Sequence, residues 1–111
     1  MEQEMFVYHI LTLDEWKKFN QEEIYQPPSL QNEGFIHLSY HQQVPATVNR
    51  FYNQHQKLVI LKIEVNKINS LLRDEISGQD GVFPHLYGGL EKSAIRDVLM
   101  VENSAEGFHW P

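Results

Sequence analysis

Hydrophobic and polar residues alternate along several short segments of this chain, with the period of two that is typical of β-strands. The clearest segment is 58–65, where every second residue from Val59 to Val65 is aliphatic. Its length and its β-branched residues predict a central strand. The other predicted strands are residues 6–11, 34–39, 71–76, 82–87 and 94–101.

Two segments between these strands have helical spacing instead. Thr12 and Glu15 form a capping-box pair, in which each side chain satisfies a backbone amide, and they predict a helix over residues 13–22. Apolar residues recur every three or four positions over 44–55, which predicts a second helix of about three turns. Residues 23–33 contain two consecutive prolines, which lack amide donors, and this segment is predicted to be a loop.

The length and composition favour a single α+β domain spanning residues 1–111. With 41% hydrophobic residues the chain can build one core, and 111 residues are few for two domains. No apolar run reaches the roughly 20 residues that cross a bilayer, and the acidic first residues do not resemble a secretion signal, so a cytoplasmic protein without a membrane partner is expected. The absence of cysteine excludes disulfides, thiolate catalysis and sulfur-bound zinc.

The charge distribution argues against duplex nucleic acid as a partner. The formal net charge is −6 and the nine Lys and Arg residues are scattered, whereas proteins that follow a phosphate backbone cluster their cations. The six histidines are more informative, because imidazole exchanges protons near neutral pH. We expect His41, His55 and His109 to be structural or solvated. The final aromatic residues, Phe108 and Trp110, are expected to dock on the domain.

The first candidate site lies in residues 34–39. Alternation would place Phe35, His37 and Ser39 on one strand face. An imidazole and a hydroxyl on the same face can bind or deprotonate a substrate group. The hydroxyl has an equally good structural interpretation, because Ser39 followed by Gln42 fits a capping box. Both interpretations stay open at this point.

The second candidate segment is 83–88, which reads Phe-Pro-His-Leu-Tyr-Gly. A rigid proline, an imidazole, a phenol and a glycine that allows close approach are typical of the wall of a ligand site. The alternative is an ordinary strand entry led by the proline, with His85 on the surface.

Two isolated residues are weaker candidates. His9 stands alone among apolar neighbours, where a histidine is more often a buried, hydrogen-bonded core residue than a reactant. Glu75 could be a site carboxylate, but a charged residue of an edge strand is usually just exposed.

Four stretches of the chain, taken together and in order, are similar to a known family. They are Tyr8-His9-Ile10, Ser29-Leu30, Glu33-Gly34-Phe35-Ile36-His37 with Ser39 and Gln43, and Phe83-Pro84-His85-Leu86-Tyr87-Gly88 with Leu90. They resemble the bacterial family known only as domain of unknown function nine-five-two. The resemblance spans nearly the whole chain, and the order and spacing of the histidine segments make it more specific than either segment alone.

That resemblance implies an α+β fold with the split, mixed β-sheet of ADP-ribosyltransferases and RNA 2′-phosphotransferases and with two or three flanking helices. In those proteins a first-strand histidine or arginine contacts the dinucleotide ribose, a second-strand serine or aromatic residue lines the nicotinamide side, and a late glutamate orients the reacting hydroxyl. By position His9 resembles the first, and Ser39 or His37 the second. The glutamate has no unmistakable counterpart: Glu75 is the nearest, and His85 could take its place.

The leading hypothesis is a pocket for NAD, ADP-ribose or a related phosphate-bearing nucleotide, on which three histidine-bearing segments converge. An enzyme with this pocket would be a transferase or hydrolase acting on ribose or phosphate. The predicted catalytic residues are His9, His37, Ser39 and His85. The predicted ligand-binding residues are Ser29, Phe35, Gln43, Glu75, Tyr87 and Gly88.

Two alternatives belong to other functional classes. A noncatalytic module that binds a metabolite or a protein could use the same groove without the missing carboxylate. A histidine-only metal site could be formed by His9, His37 and His85, as in open zinc sites. The metal alternative has less support, because His37 and His41 have the His-x-x-x-His spacing but a strand at His37 would separate their faces.

Overall fold

The protein is described by a computed structural model that covers residues 5–78, 81–104 and 107–110. In chain order its helices and strands are β1 (Phe6–Thr12), α1 (Leu13–Phe19), β2 (Ile24–Tyr25), α2 (Pro28–Glu33), β3 (Ile36–His37), α3 (Val44–Phe51), β4 (Lys57–Glu64), β5 (Leu72–Ile76), β6 (Val82–Leu86), β7 (Leu90–Glu91), β8 (Ile95–Ser104) and β9 (Gly107–Phe108). This is an α+β arrangement with little helix. The run Gly78-Gln79-Asp80-Gly81 between β5 and β6 is typical of a turn, and its two central residues lie outside the described residues.

The largest sheet has four strands in the order β1, β4, β8, β9. β4 lies inside this sheet, as its aliphatic pattern predicted. The second aliphatic set of β4, Leu58 and Ile60, is buried together with Val59 and Leu61, so both faces of the strand are covered. A strand buried on both faces is hydrophobic at nearly every position, which is why β4 gave the clearest sequence signal.

A three-stranded sheet in the order β3, β6, β5 and a small β2–β7 pair complete the strands. The two larger sheets are joined where Tyr8 of β1 and Ser39 exchange two backbone hydrogen bonds of 2.8 Å. This bridge places the segment after β3 directly beside the first strand.

Every strand pairing among the described residues is antiparallel. The mixed sheet that the sequence resemblance implied is therefore wrong for this part of the chain. Parallel neighbours need a crossover that returns the chain to the same end of the sheet. Here neighbouring strands run in opposite directions, as in the β5–β6 hairpin.

Helix α1 begins as predicted. Glu15 N donates to Thr12 Oγ1 at 3.2 Å, and Thr12 N donates to Glu15 Oε1 at 2.8 Å, which is the reciprocal capping box. The helix ends at Phe19, three residues earlier than expected. Phe19 is the buried residue at the end of this helix. Residues 20–23 are exposed, so continuing the helix through them would bury no further side chains against the core.

The predicted loop over residues 23–33 is wrong, because it contains both β2 and helix α2. Pro28 occupies the first turn of α2, where the missing amide hydrogen is not needed. Gly34 ends the helix with φ 90°, a left-handed conformation that favours glycine. The two prolines therefore start a helix instead of preventing one.

Helix α3 has eight residues and is shorter than the three turns predicted. A 3-10 turn at His41–Gln43 precedes it, and Tyr40 N donates to Gln43 Oε1 at 2.9 Å. The capping pair at this point is therefore Tyr40 with Gln43, and the proposed Ser39–Gln42 pair is displaced by one residue. This shift leaves the Ser39 side chain for the site described below.

The core consists of two hydrophobic clusters on opposite sides of the four-stranded sheet. Alternate residues of β1 belong to different clusters. Val7 and Leu11 belong to the first cluster, on one side of the sheet, and Tyr8 and Ile10 belong to the second cluster, on the other side with helix α3. None of the described helices is long and apolar enough to cross a membrane.

Candidate ligand-binding site

One face of the β3–β6–β5 sheet carries most of the side chains that the sequence singled out. Ile36, Leu38 and Leu86 are buried in the first hydrophobic cluster, on the opposite face. Because successive side chains of a strand point to opposite faces, the polar and aromatic side chains lie on this face. The set consists of Phe35, His37, Ser39, Phe83, His85 and Tyr87.

A cavity of about 610 Å³ is lined by part of this face together with residues of β1, β2 and α3. That volume lies within the range of roughly 300 to 1,000 Å³ usual for small-molecule sites. Aromatic rings of Tyr25, Phe51 and Phe83 contribute to the wall. The main polar lining residues are His9, Ser29, His37, Ser39, Thr47 and Arg50.

His9 is held in the interior by two hydrogen bonds. Its Nδ1 lies 2.8 Å from the carbonyl oxygen of His37, which can only accept, so Nδ1 carries the proton and donates. Nε2 then accepts from the hydroxyl of Tyr25 at 3.1 Å. Burial lowers the pKa of His9 to about 4 and raises the pKa of Tyr25. The imidazole is therefore neutral at physiological pH, and both nitrogens are used within the protein.

His37 lies at the edge of the cavity with a side chain that is half exposed. Its Nε2 is 2.5 Å from Glu33 Oε2 on helix α2, one turn earlier in the chain. Its ring is within 5.5 Å of the His85 ring, because the two residues are direct cross-strand partners on β3 and β6. Among the three histidines, His37 is the accessible one.

His85 belongs to a second group of side chains around Glu75. Its Nδ1 donates to Glu75 Oε1 at 2.8 Å, and the hydroxyl of Tyr87 donates to the same oxygen. These hydrogen bonds lower the pKa of Glu75, with the Tyr87 bond as the larger cause, and the carboxylate in turn raises the pKa of Tyr87. The Phe35 ring stacks on the His85 imidazole with centroids 4.0 Å apart and planes 17° apart.

The three imidazoles do not converge on one cavity, so this expectation is wrong. His9 and His37 line the cavity, whereas His85 lies in the adjoining group under Phe35. The physical reason is strand geometry: residues two apart on β6 are separated by roughly 6.7 Å along the strand. Phe83 therefore reaches the cavity wall, while His85 lies one step further along.

The remaining predicted ligand-binding residues divide between the site and the scaffold. Ser29 lines the cavity, and its hydroxyl donates to the carbonyl of Phe35 at 3.0 Å. Gln43 has a structural role, since its amide donates to the carbonyl of Val82 at 2.7 Å and its oxygen caps the turn before α3. Gly88 does not line the cavity, and an added Cβ there would meet only the end of the exposed Leu71 side chain, at 2.7 Å from Cδ1.

Sequence reasoning missed Tyr25 and Arg50, two of the more consequential lining residues. Tyr25 gave no pattern, because β2 contains two residues only. Arg50 had a usable signal: it follows Thr47 by three positions on α3, away from the buried residues Val44 and Val48. Its guanidinium lies 5.2 Å from the centroid of the Phe51 ring, a cation–π contact at the cavity.

The donor geometry does not support the metal alternative. In the part of the chain that the structure describes, no group of three or more His, Asp or Glu side chains is arranged to hold a metal ion. Both nitrogens of His9 and Nδ1 of His85 are already engaged in hydrogen bonds.

Fold and site together define an α+β protein with a histidine-lined cavity beside its smaller sheet. Residues 10–98 match the family described as protein of unknown function (DUF952). The match covers most of the chain, and the protein belongs to this family. The family expected from the sequence is thus confirmed.

Solved structures with a similar fold come from protein CC0527 of Caulobacter crescentus. Its crystal structure is 28% identical with a TM-score of 0.83, covering 93% of this chain and 91% of that chain. Its solution NMR structure has a TM-score of 0.81 at 28% identity, covering 93% of this chain and 90% of that chain. No functionally curated protein matches the chain.

Proposed function

We propose that the cavity binds a phosphate-bearing nucleotide of the NAD or ADP-ribose type. The observation that carries this proposal is the combination of one cation, several hydroxyl groups and aromatic walls around a cavity of about 610 Å³. Small-molecule sites have this composition, with largely apolar walls and a few placed polar groups.

Each part of such a ligand has a chemical counterpart on the lining. The guanidinium of Arg50 can pair with phosphate oxygens in a charge-assisted, bidentate manner. Hydroxyls of Ser39 and Thr47 can exchange hydrogen bonds with a ribose. Phe51 and Phe83 offer ring faces for a base.

The division of the strands into two larger sheets agrees with one feature of an ADP-ribosyltransferase-like fold, the split sheet, whereas the antiparallel strand directions do not agree with its mixed sheet. Two antiparallel sheets meet at the Tyr8–Ser39 bridge, and His9 and Ser39, which lie at that bridge, both line the cavity. A split sheet is one part of the arrangement that the sequence resemblance implied. In this assignment His9 and Ser39 face the ribose.

A noncatalytic binding module is the second candidate, and the positions of the carboxylates favour it. Glu75 lies outside the cavity lining, bound to His85 and Tyr87. Glu15 does line the cavity, but its side chain caps helix α1. Ribosyl transfer would need a carboxylate directed at the reacting hydroxyl. Incubation with NAD separates the candidates, because an enzyme releases nicotinamide and a binding module returns NAD unchanged.

Isothermal titration calorimetry with ADP-ribose and NAD tests the proposal. Arg50→Gln removes the cation and should weaken ADP-ribose binding about tenfold, roughly the contribution of one charged hydrogen bond. Arg96→Gln is the matched control, because Arg96 is exposed on β8 and pairs loosely with Glu64 at 3.9 Å. Absence of heat with both nucleotides at millimolar concentration, or equal weakening by both substitutions, would contradict the proposal.

A further inference from the structure

Strand β5 is the open edge of the three-stranded sheet. In the order β3, β6, β5 it pairs with β6, and no other described strand pairs with it. An edge strand presents backbone N–H and C=O groups that can pair with a further strand, and native proteins often protect such edges with charges or a proline. β5 has no proline and carries charges of both signs. Its sequence therefore decides which strand can pair with it.

The register of the β5–β6 hairpin fixes which backbone groups point to the open edge. Directly before β5, Tyr87 N donates to the Leu71 carbonyl at 2.8 Å, and directly after it Ser77 N donates to the Gly81 carbonyl at 2.9 Å. In an antiparallel pair, hydrogen-bonded positions alternate with positions that are not hydrogen-bonded. The odd-numbered residues of β5 thus direct their backbone groups to β6. The backbone groups that point to the open edge belong to the even-numbered residues, Leu72, Asp74 and Ile76.

The sequence of β5 is complementary to itself when two copies lie antiparallel with Asp74 at the centre. Leu72 of one copy then faces Ile76 of the other, and Arg73 of one copy faces Glu75 of the other. In this register the two Asp74 residues exchange backbone hydrogen bonds, and the N–H of Ile76 meets the carbonyl of Leu72. The N–H of Leu72 already donates to the Asn69 carbonyl and needs no partner.

Arg73 and Glu75 have charged atoms available for this pairing. Arg73 is exposed and forms no ion pair with a described residue. Glu75 accepts from His85 and Tyr87 at Oε1, and its Oε2 has no hydrogen-bond partner among the described residues. Each of the two ion pairs would therefore form without breaking one that the fold already uses.

The two Asp74 carboxylates are the unfavourable contact of this register. Asp74 Oδ1 accepts from the Tyr40 hydroxyl at 2.5 Å, which holds each carboxylate on its own copy. Asp74 would occupy a hydrogen-bonded pair, with Cα atoms about 5.5 Å apart, whereas Arg73 and Glu75 would occupy a pair that is not hydrogen-bonded, at about 4.5 Å. The like charges thus have the wider spacing and the opposite charges the closer one.

Ile76 supplies the apolar part of the contact. Its side chain is 77% exposed, and its cross-strand partner Val82 is 48% exposed. Leu72 is partly buried against the first hydrophobic cluster. Pairing would place Ile76 of each copy beside Leu72 of the other, at the rim of the other copy's core, where it loses contact with water.

We propose that β5 is a self-association edge, through which two copies of this chain form an antiparallel, two-fold symmetric dimer centred on Asp74. The symmetry makes every contact occur twice. Strands of five residues bury little area, so we expect weak association, with a dissociation constant on the order of 100 μM. No residue of β5 lines the cavity, so this dimer is independent of nucleotide binding.

Sedimentation equilibrium of the full chain over a range of concentrations tests the dimer. Arg73→Glu and Glu75→Arg each set like charges face to face twice and should weaken self-association about tenfold or more. An equimolar mixture of these two variants should associate again, because the acidic edge of one then faces the basic edge of the other. Arg96→Glu is the control, since it makes the same charge change at an exposed position of β8, and it should associate as the wild-type protein does.

Amide hydrogen exchange of the wild-type protein, measured by NMR, provides a readout that needs no variant. The amides of Asp74 and Ile76 should exchange more slowly as the protein concentration rises, whereas those of Arg73 and Glu75, which face β6, should not change.

A wild-type protein that stays monomeric at the highest concentration would overturn the proposal and leave this edge to a strand of another protein. A dimer that is insensitive to Arg73→Glu would also overturn it. So would a mixture of the two folded charge variants that does not associate, or an exchange rate of the Asp74 and Ile76 amides that is independent of concentration.

Discussion

The imidazole of His9 donates from Nδ1 to the carbonyl of His37 and accepts at Nε2 from Tyr25. Protonation would place a second hydrogen against the Tyr25 hydroxyl and a charge in the core, and burial accordingly lowers the pKa of His9 to about 4. His9 thus joins β1, β2 and β3 as a neutral connector. At the residue scale, its contribution to the site is to position the His37 backbone and the Tyr25 ring.

The stability of the protein should depend on the titration of His9. Its pKa is 6.5 in an unfolded chain and about 4 in the folded protein, so the unfolded chain binds the proton first as the pH falls. The stabilisation is complete above about pH 6.5 and is lost as the pH falls toward 4. The full difference corresponds to about 3 kcal/mol. Urea unfolding should show a loss of about 2 kcal/mol between pH 7.5 and pH 5.

His9→Gln should flatten this pH dependence, because the amide keeps a donor for the His37 carbonyl and does not titrate. The control is His55→Gln, which changes an exposed histidine and should retain the wild-type slope. Equal slopes for the two variants between pH 7.5 and pH 5 would show that another group is responsible.

At the scale of elements, strand alternation explains why two distant segments share a face. Residues 34–39 and 83–87 each place every second side chain away from the core, and antiparallel pairing of β3 with β6 sets His37 opposite His85. A shift of one residue in this pairing would turn the polar set into the core. The buried side chains of Ile36 and Leu86, which are themselves cross-strand partners, hold the register.

Helix α1 offers a direct test of how much a local capping signal contributes. Thr12→Ala removes the oxygen that accepts from Glu15 N and should lower the free energy of unfolding by about 1 kcal/mol. Thr12→Ser keeps that oxygen and should stay within a few tenths of a kcal/mol of the wild-type protein. Urea unfolding at pH 7 measures both. Equal losses in the two variants would place the effect in the Thr12 methyl group instead of the cap.

At the scale of the whole molecule, Trp110 packs against the first strand. Trp110 stacks edge-on against Tyr8, with centroids 5.3 Å apart, and its Nε1 donates to the carbonyl of His41 at 3.0 Å. Phe108 lies on β9 beside the second hydrophobic cluster. The docking expected for these aromatic residues is confirmed, and it links the last strand to the elements before α3.

Removal of the Trp110 side chain should therefore destabilise the entire domain. Trp110→Ala loses a half-buried ring and should lower the free energy of unfolding by roughly 2 kcal/mol, below the cost for a fully buried tryptophan. His109→Ala, which changes its exposed neighbour, should stay within about 0.5 kcal/mol of the wild-type protein. Thermal and urea unfolding measure both, and similar stability of the two variants would mean that the tail does not support the fold.

The prediction of the fold from sequence succeeded where a local pattern carried the information. The strands β1, β4 and β6 and the start of α1 follow from periodicity and a capping box, which involve residues close in the chain. The loop predicted over residues 23–33 failed, because a proline at a first helical turn and a proline in a loop look alike without the backbone geometry of Gly34.

The sequence by itself determined the family, the alternation that puts Phe35, His37 and Ser39 on one face, and the presence of histidine segments worth testing. Only the tertiary structure decided that Arg50 and Tyr25 join His9 at the cavity while His85 pairs with Glu75 outside it. Alternation is a property of consecutive residues. A shared cavity depends on how distant elements pack and on the spacing between strand positions, which no local pattern specifies.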